Sequence, residues 1–265
     1  MGREIKVFKT INEQIEYLQI NKSVKVDNQE VAREVLLNNN YYNLVSCGKI
    51  KFAKTIECGK FKYGESRFAD WIQYFDADRK ISEHLMKNMI RIERNLNSRI
   101  AHYMSELIEK GTLLTTNERN TLIQKIKSSR KCKGYAGNET WTYITKMTFG
   151  EMKKLLIWLD KNNKQLYHKV TEGYSFLQTG KEKKNKDRIN ELNHLRNNLF
   201  HSRPLNIYLT YGDGKSQLLQ NKDRKLIINS VLNECYDQDI KRIIDDFYKH
   251  SDTFIKIKNS QYSIG

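Results

Sequence analysis

The sequence predicts a mainly α-helical protein, and three observations carry that expectation. Only one of its 265 residues is proline, the residue that interrupts helical hydrogen bonding. Apolar residues recur at intervals of three and four through Ile81, Leu85, Met89, Ile92, Leu96, Ile100, Tyr103 and Leu107, the period of one buried helix face. Helix-start signatures precede other stripes of this kind. At Thr148 and Glu151, a hydroxyl and a carboxylate three positions apart can each cap the other's backbone N–H.

Taken in order, residues 10–20 read as a short amphipathic helix carrying Ile11, Ile15 and Leu18. Asp27 with Glu30 suggests a capping box for a second helix, which stops at Asn38–Asn40. From Tyr41 to Tyr63 helical periodicity fades and Gly48 and Gly59 intervene, so a loop with two short strands is expected. The longest helix is expected over 78–109, ended by Gly111. Asn117 can start a short helix, and Thr148 opens another with Met152, Leu155, Leu156 and Leu159. Ile189, Leu192, Leu195 and Leu199 mark a helix ending near Phe200, with Pro204 preventing its continuation. Residues 205–228 admit either a short hairpin around Gly212–Gly214 or broken helices, and a last helix is expected over 228–248. Residues 1–70 would then form a small N-terminal helical module with short strands, and 71–265 the main helical domain.

The net charge is +16, from 47 Lys and Arg against 31 Asp and Glu. Self-repulsion on that scale points to a polyanionic partner, first of all a nucleic acid, although a lysine-rich composition alone also yields a basic surface. Candidate phosphate contacts fall in three places. Arg91, Arg99 and His102 lie on a polar stripe of the longest helix, which also reads as an ordinary solvated flank. Lys127, Arg130, Lys131 and Lys133 occupy a basic connector, and Lys181, Lys183, Lys184, Lys186 and Arg188 form a second run. Cysteines 47, 58, 132 and 235 form no C-x-x-C and have no His pair at ligand spacing, so no metal or cofactor is expected. The N-terminus has no apolar signal core and no apolar run suffices to span a bilayer, so a cytoplasmic protein without membrane contact is expected.

Arg196 and His201 are five residues apart at a helix end. Arg196 lies four after Leu192 and three before Leu199, toward the packed side of its helix, where a guanidinium needs partners. The spacing alone is weak, because Arg79 and His84 repeat it, and a surface Arg beside a capping His reads equally well.

Three separated segments are similar to the Abi-like family of abortive-infection proteins (the AbiD/AbiF group), which belongs to the HEPN superfamily. Ile11–Ile15 through Asn40, Tyr41, Tyr42, Asn43 and Leu44 resembles that family's N-terminal helix and "NYYRL" stretch. Phe75–Lys80, then Arg91, Ile92 and Glu93, then Arg99–Tyr103, resembles its "FDRxLR…RIExxLRxxLAY". Leu195, Arg196 and Asn197, then His201 through Arg203, Pro204, Leu205 and Asn206, resembles its "LRNxxAHHxRLWN". Ser202 replaces a second His, Asn97 a common Arg, and the "RLWN" tail is shortened.

This resemblance implies a HEPN-type helical bundle and a metal-independent endoribonuclease acting in antiphage abortive infection or as a toxin. Its catalytic residues would be Arg196, Asn197 and His201, with Arg203 beside them on the RNA. The products would carry a cyclic phosphate and a 5′-OH. It further implies a homodimer, so that two motifs face one cleft, and control by a bound structured RNA. The same residues also admit a structured-RNA-binding protein that does not cut and, more weakly, a DNA-binding regulator.

Overall fold

The computed structural model describes residues 9–57, 60–110, 117, 124, 140–210, 217–233 and 238–260. The protein is mainly α, with short strands only. Its elements are α1 (Ile11–Lys22), β1 (Val24–Lys25), α2 (Gln29–Asn38), α3 (Tyr41–Phe52), β2 (Ala53–Glu57), β3 (Lys60–Tyr63), β4 (Ser66–Arg67), α4 (Phe68–Lys110), α5 (Thr140–Thr145), α6 (Phe149–Asn162), α7 (Lys164–Val170), a 3₁₀ turn at Ser175–Leu177, α8 (Glu182–Phe200), α9 (Leu205–Thr210), α10 (Gln217–Leu232) and α11 (Gln238–Ser260). Strand β2 pairs antiparallel with β3, and β1 pairs parallel with β4. The connector with Lys127, Arg130, Lys131 and Lys133, the Gly212–Gly214 turn, and Cys58, Cys132 and Cys235 lie outside the described residues.

The predicted caps hold in part. At α6, Thr148 Oγ1 accepts from the Glu151 N–H while the Glu151 carboxylate accepts from the Thr148 N–H, the reciprocal box the sequence suggests. At α2 the cap is Asn28, whose side chain accepts from the Val31 N–H. Asp27 instead pairs with Lys25 and Arg67, so the box expected there is displaced by one residue and lacks Glu30.

Three expectations are corrected. The segment from Tyr41 opens as helix α3, capped by Asn40, and only its second half forms the expected strands. The misleading signal was Gly48. It sits inside α3 because Trp71 packs against it; a Cβ there would stand 2.2 Å from Trp71 Cε3. Helix α4 begins ten residues earlier than the span expected from its apolar repeat, because Phe68, Trp71, Tyr74 and Phe75 extend the buried stripe backwards. The expected boundary at residue 70 thus lies in the first turn of α4. The last expected helix is two, α10 and α11, and of residues 205–228 the described stretches, 205–210 and 217–228, are helical.

The chain forms two compact units. One comprises 1–84, 198–225 and 236–265. In it α3, α9, α11 and β2 pack together, with Phe61 stacked on Phe254 and Tyr74 on Phe247 at centroid separations of 5.0 and 4.4 Å. The other comprises 85–197 and 226–235. Its core holds Leu85, Met89, Ile92, Leu96 and Ile100 of α4, Leu155, Leu156 and Leu159 of α6, and Ile189, Leu192 and Leu195 of α8. A buried polar joint positions α8. Asn185 Nδ2 donates to both oxygens of Asp160 at 3.1 and 3.2 Å, and its Oδ1 accepts from Thr179 N–H and Oγ1. Among the described residues no helix is long and apolar enough to cross a membrane.

Candidate active site

Arg196 lies in the last full turns of α8 and is half-buried, as its place near the apolar stripe requires. Its Nε donates to Glu93 Oε2 at 3.3 Å. Glu93 is the carboxylate of the Arg91–Glu93 segment, so an ion pair joins two of the segments singled out in the sequence. Both side chains keep about a quarter of their surface exposed (26% and 21%). The sequence did not identify Glu93 as the partner.

His201 stands immediately after α8, in a turn of defined chemistry. Continued as a helix, a separation of five residues would rotate it about 140° from Arg196. The chain instead closes α8 with a Schellman turn. The Ser202 N–H bonds to the Leu199 carbonyl at 3.0 Å and the Arg203 N–H to the Asn198 carbonyl at 3.1 Å, with Ser202 at φ +50°. His201 is therefore the C-cap residue, and its side chain is exposed, as are those of Ser202 and Arg203.

Side chains from elsewhere in the same unit pin this turn. Buried Asn198 donates through Nδ2 to the Arg203 carbonyl at 3.0 Å, and Asn43 Nδ2 donates to the Ser202 carbonyl at 3.2 Å. Just beyond, Pro204 and Leu205 are buried, and α9 begins on Asp78. Asp78 Oδ1 accepts from the Leu205 N–H at 2.8 Å and Oδ2 from the Asn206 N–H at 3.0 Å. Asn206 Nδ2 in turn reaches the Cys47 carbonyl and Sγ. Burial drives the Asp78 carboxyl up to about 7, with the N–H groups of Asn206 and Leu205 pulling the other way. Burial likewise pushes the Cys47 thiol well up, so it is an inert core thiol and no nucleophile.

The remaining candidates divide by surroundings. Asn197 is exposed, and Asn198 is the asparagine that shapes the turn. Arg99 donates to the Glu172 carbonyl and lies over the Tyr174 ring, while Arg188 donates to the Phe176 carbonyl at 2.8 Å. Both guanidiniums thus tie loops to helices. Arg91, His102, Lys181, Lys183, Lys184 and Lys186 are exposed. Arg79, at the same spacing from His84 as Arg196 from His201, donates to Asn39 Oδ1 at 3.4 Å and sits far along the chain from the pinned turn.

The Abi-like protein family model matches residues 34–206, which spans the Asn40–Leu44 stretch, Asp78, Glu93, Arg196 and His201. The chain belongs to the Abi-like family. That membership associates it with abortive infection. No curated protein and no solved structure matches the Abi-like chain.

Proposed function

We propose that this Abi-like protein is a metal-independent endoribonuclease of the HEPN type that acts in abortive infection or as a toxin. The reading is supported by Arg196, which Glu93 holds at 3.3 Å while it stays partly exposed, and, separately, by an exposed His201 on a turn clamped by Asn198 and Asn43. A clamped turn fixes where an imidazole stands, and positioning is a large part of catalysis of phosphodiester transfer.

In the reaction the ribose 2′-oxygen forms a bond to the adjacent phosphorus as the P–O5′ bond breaks. The 2′-OH proton passes to a base and a proton is delivered to O5′, leaving a 2′,3′-cyclic phosphate and a 5′-OH end. His201 suits either proton transfer, since an imidazole can both accept and donate a proton. Arg196 offers bidentate donors to the charge that grows on the phosphate. Asn197, exposed next to it in α8, would meet the phosphate or orient His201. One imidazole serves one transfer at a time, so a second copy of the chain in a homodimer supplies the other. A regulatory structured RNA would be held by the exposed Lys181, Lys183, Lys184 and Lys186, with Arg203 near the reacting strand. The lysine run, together with the charge of +16, also supports the second reading, an RNA-binding protein that does not cut.

Incubating the purified chain with total RNA separates the two. Cleavage giving cyclic-phosphate ends, lost in Arg196→Ala and His201→Ala while RNA binding persists, supports the enzyme. Identical behaviour of all three proteins leaves only the binder. The need for a 2′-OH means that DNA of the same sequence is not cut; preferential DNA binding would favour a regulator.

A further inference from the structure

Two large aromatic side chains next to the pinned turn are exposed. Phe200, the residue before His201, is 41% exposed, and Tyr42, the residue before Asn43, is 51% exposed. The hydrogen bond from Asn43 Nδ2 to the Ser202 carbonyl at 3.2 Å ties the start of α3 to the turn within one unit. Tyr42 is braced rather than loose. Its ring meets the edge of Tyr41 at 5.5 Å between centroids, and Asn40 Oδ1 accepts from its N–H at 3.0 Å. Tyr41 is itself partly buried, and burial beside Tyr17 and Tyr42 pushes its hydroxyl up to about 12. Two cations lie on the same segments: Arg203 is exposed on the turn, and exposed Arg79 is tied to Asn39, the residue before the α3 cap. Exposed rings on a braced frame, with exposed guanidiniums on the adjoining segments, have the chemistry of a nucleobase platform: the rings stack on bases and the cations meet the flanking phosphates.

We propose that Tyr42 and Phe200 form a base-stacking subsite beside His201 that selects unpaired nucleotides next to the scissile phosphate. The inference rests on the ribonuclease reading for the word scissile, but stacking itself requires no cleavage. Bases within a duplex have no free faces, so the subsite discriminates by pairing state rather than by base identity.

The test uses the full chain in a His201→Ala background, so that binding is read without turnover. A labelled unpaired 12-nucleotide RNA and the same sequence in a duplex are titrated by fluorescence anisotropy. Tyr42→Ala and Phe200→Ala should each weaken binding of the unpaired RNA roughly 5- to 150-fold, the range for losing one stacked base, with duplex affinity unchanged. Tyr42→Phe and Phe200→Tyr keep a ring and should bind as the parent does. In Tyr42→Trp, unpaired RNA should quench the new indole. Alanine variants that bind unpaired RNA as tightly as the parent, or an indole that RNA leaves unquenched, overturn the proposal. Failure of the nuclease reading shows separately, as absence of cleavage by the chain with His201 intact while aromatic-dependent binding persists.

Discussion

Replacing Asp78 with alanine should loosen the segment that follows the His201 turn, and the size of the effect can be worked from the contacts. Its carboxylate accepts from the backbone N–H groups of Leu205 and Asn206 at 2.8 and 3.0 Å, and both residues are fully buried. Leaving a buried donor unpaired costs about 1–3 kcal/mol, so the pair should cost about 2–6 kcal/mol in Asp78→Ala. Asp78→Asn keeps one acceptor oxygen and should lose about half as much. A second signature lies in pH. Burial raises the folded-state carboxyl to about 7, above the unfolded value of about 4. Because the folded value is the higher one, this group's contribution is greatest below about pH 4 and is lost as the pH climbs to about 7. Asp78→Asn, which carries no charge, should therefore fall furthest behind the parent at pH 5 and least behind at pH 8. Urea unfolding followed by circular dichroism at both pH values reads the two effects together. An Asp78→Ala protein within about 0.5 kcal/mol of the parent at both would refute the claim that these N–H groups depend on Asp78.

Other substitutions probe neighbouring joints. Ser202→Gly relieves a left-handed backbone at φ +50° and should stabilise the chain by about 1 kcal/mol in the same unfolding assay, with the turn retained. Gly48→Ala places a methyl 2.2 Å from Trp71 and should destabilise by about 1–3 kcal/mol despite the better helix propensity of alanine, measured by chemical denaturation. Glu93→Gln removes the charge that holds Arg196; since the pair is partly exposed, stability should change by under about 1 kcal/mol, whereas kcat for RNA cleavage should fall about ten-fold or more with KM nearly unchanged. Arg196→Lys keeps the charge but loses the planar fork, and should cut as poorly as Arg196→Ala while binding RNA as the parent does.

The helices were legible because burial imposes a period that the sequence must obey. The stripe from Ile81 to Ile100 is fully buried as its spacing predicts, and the Thr148 box caps α6 with both of its bonds. Misreadings arose where one residue serves tertiary packing and resembles a local signal. Gly48 looked like a loop marker and is a seat for Trp71. Asp27 looked like a cap and is an ion-pair partner, because Asn28 one step later has the geometry to reach the Val31 N–H. The break between α10 and α11 was hidden because Leu232, Ile240, Ile243 and Phe247 fit one continuous stripe on paper.

At the candidate site the sequence yielded the candidate groups but not their supports. Arg196 and His201 announce themselves by chemistry, whereas Asp78, Asn198 and Asn43 act through backbone atoms that no motif prints. Two of the three nonetheless left a trace. Asp78 lies three before Ile81 and seven before Leu85, and Asn198 lies three after Leu195 and beside Leu199, so each puts a polar group on an apolar face. Burying such a group is costly unless it is paired, and an unexplained polar residue on a core stripe therefore predicts a partner elsewhere in the chain. For Asp78 that partner is the start of α9, and for Asn198 it is the carbonyl of Arg203. The three segments that resemble the family are thus coupled in space by polar contacts: Asn43 to Ser202, Asp78 to Leu205 and Asn206, and Glu93 to Arg196. Each contact fixes the backbone or the guanidinium of the third segment by a residue from one of the first two. In this chain the first two segments hold in place what the third presents.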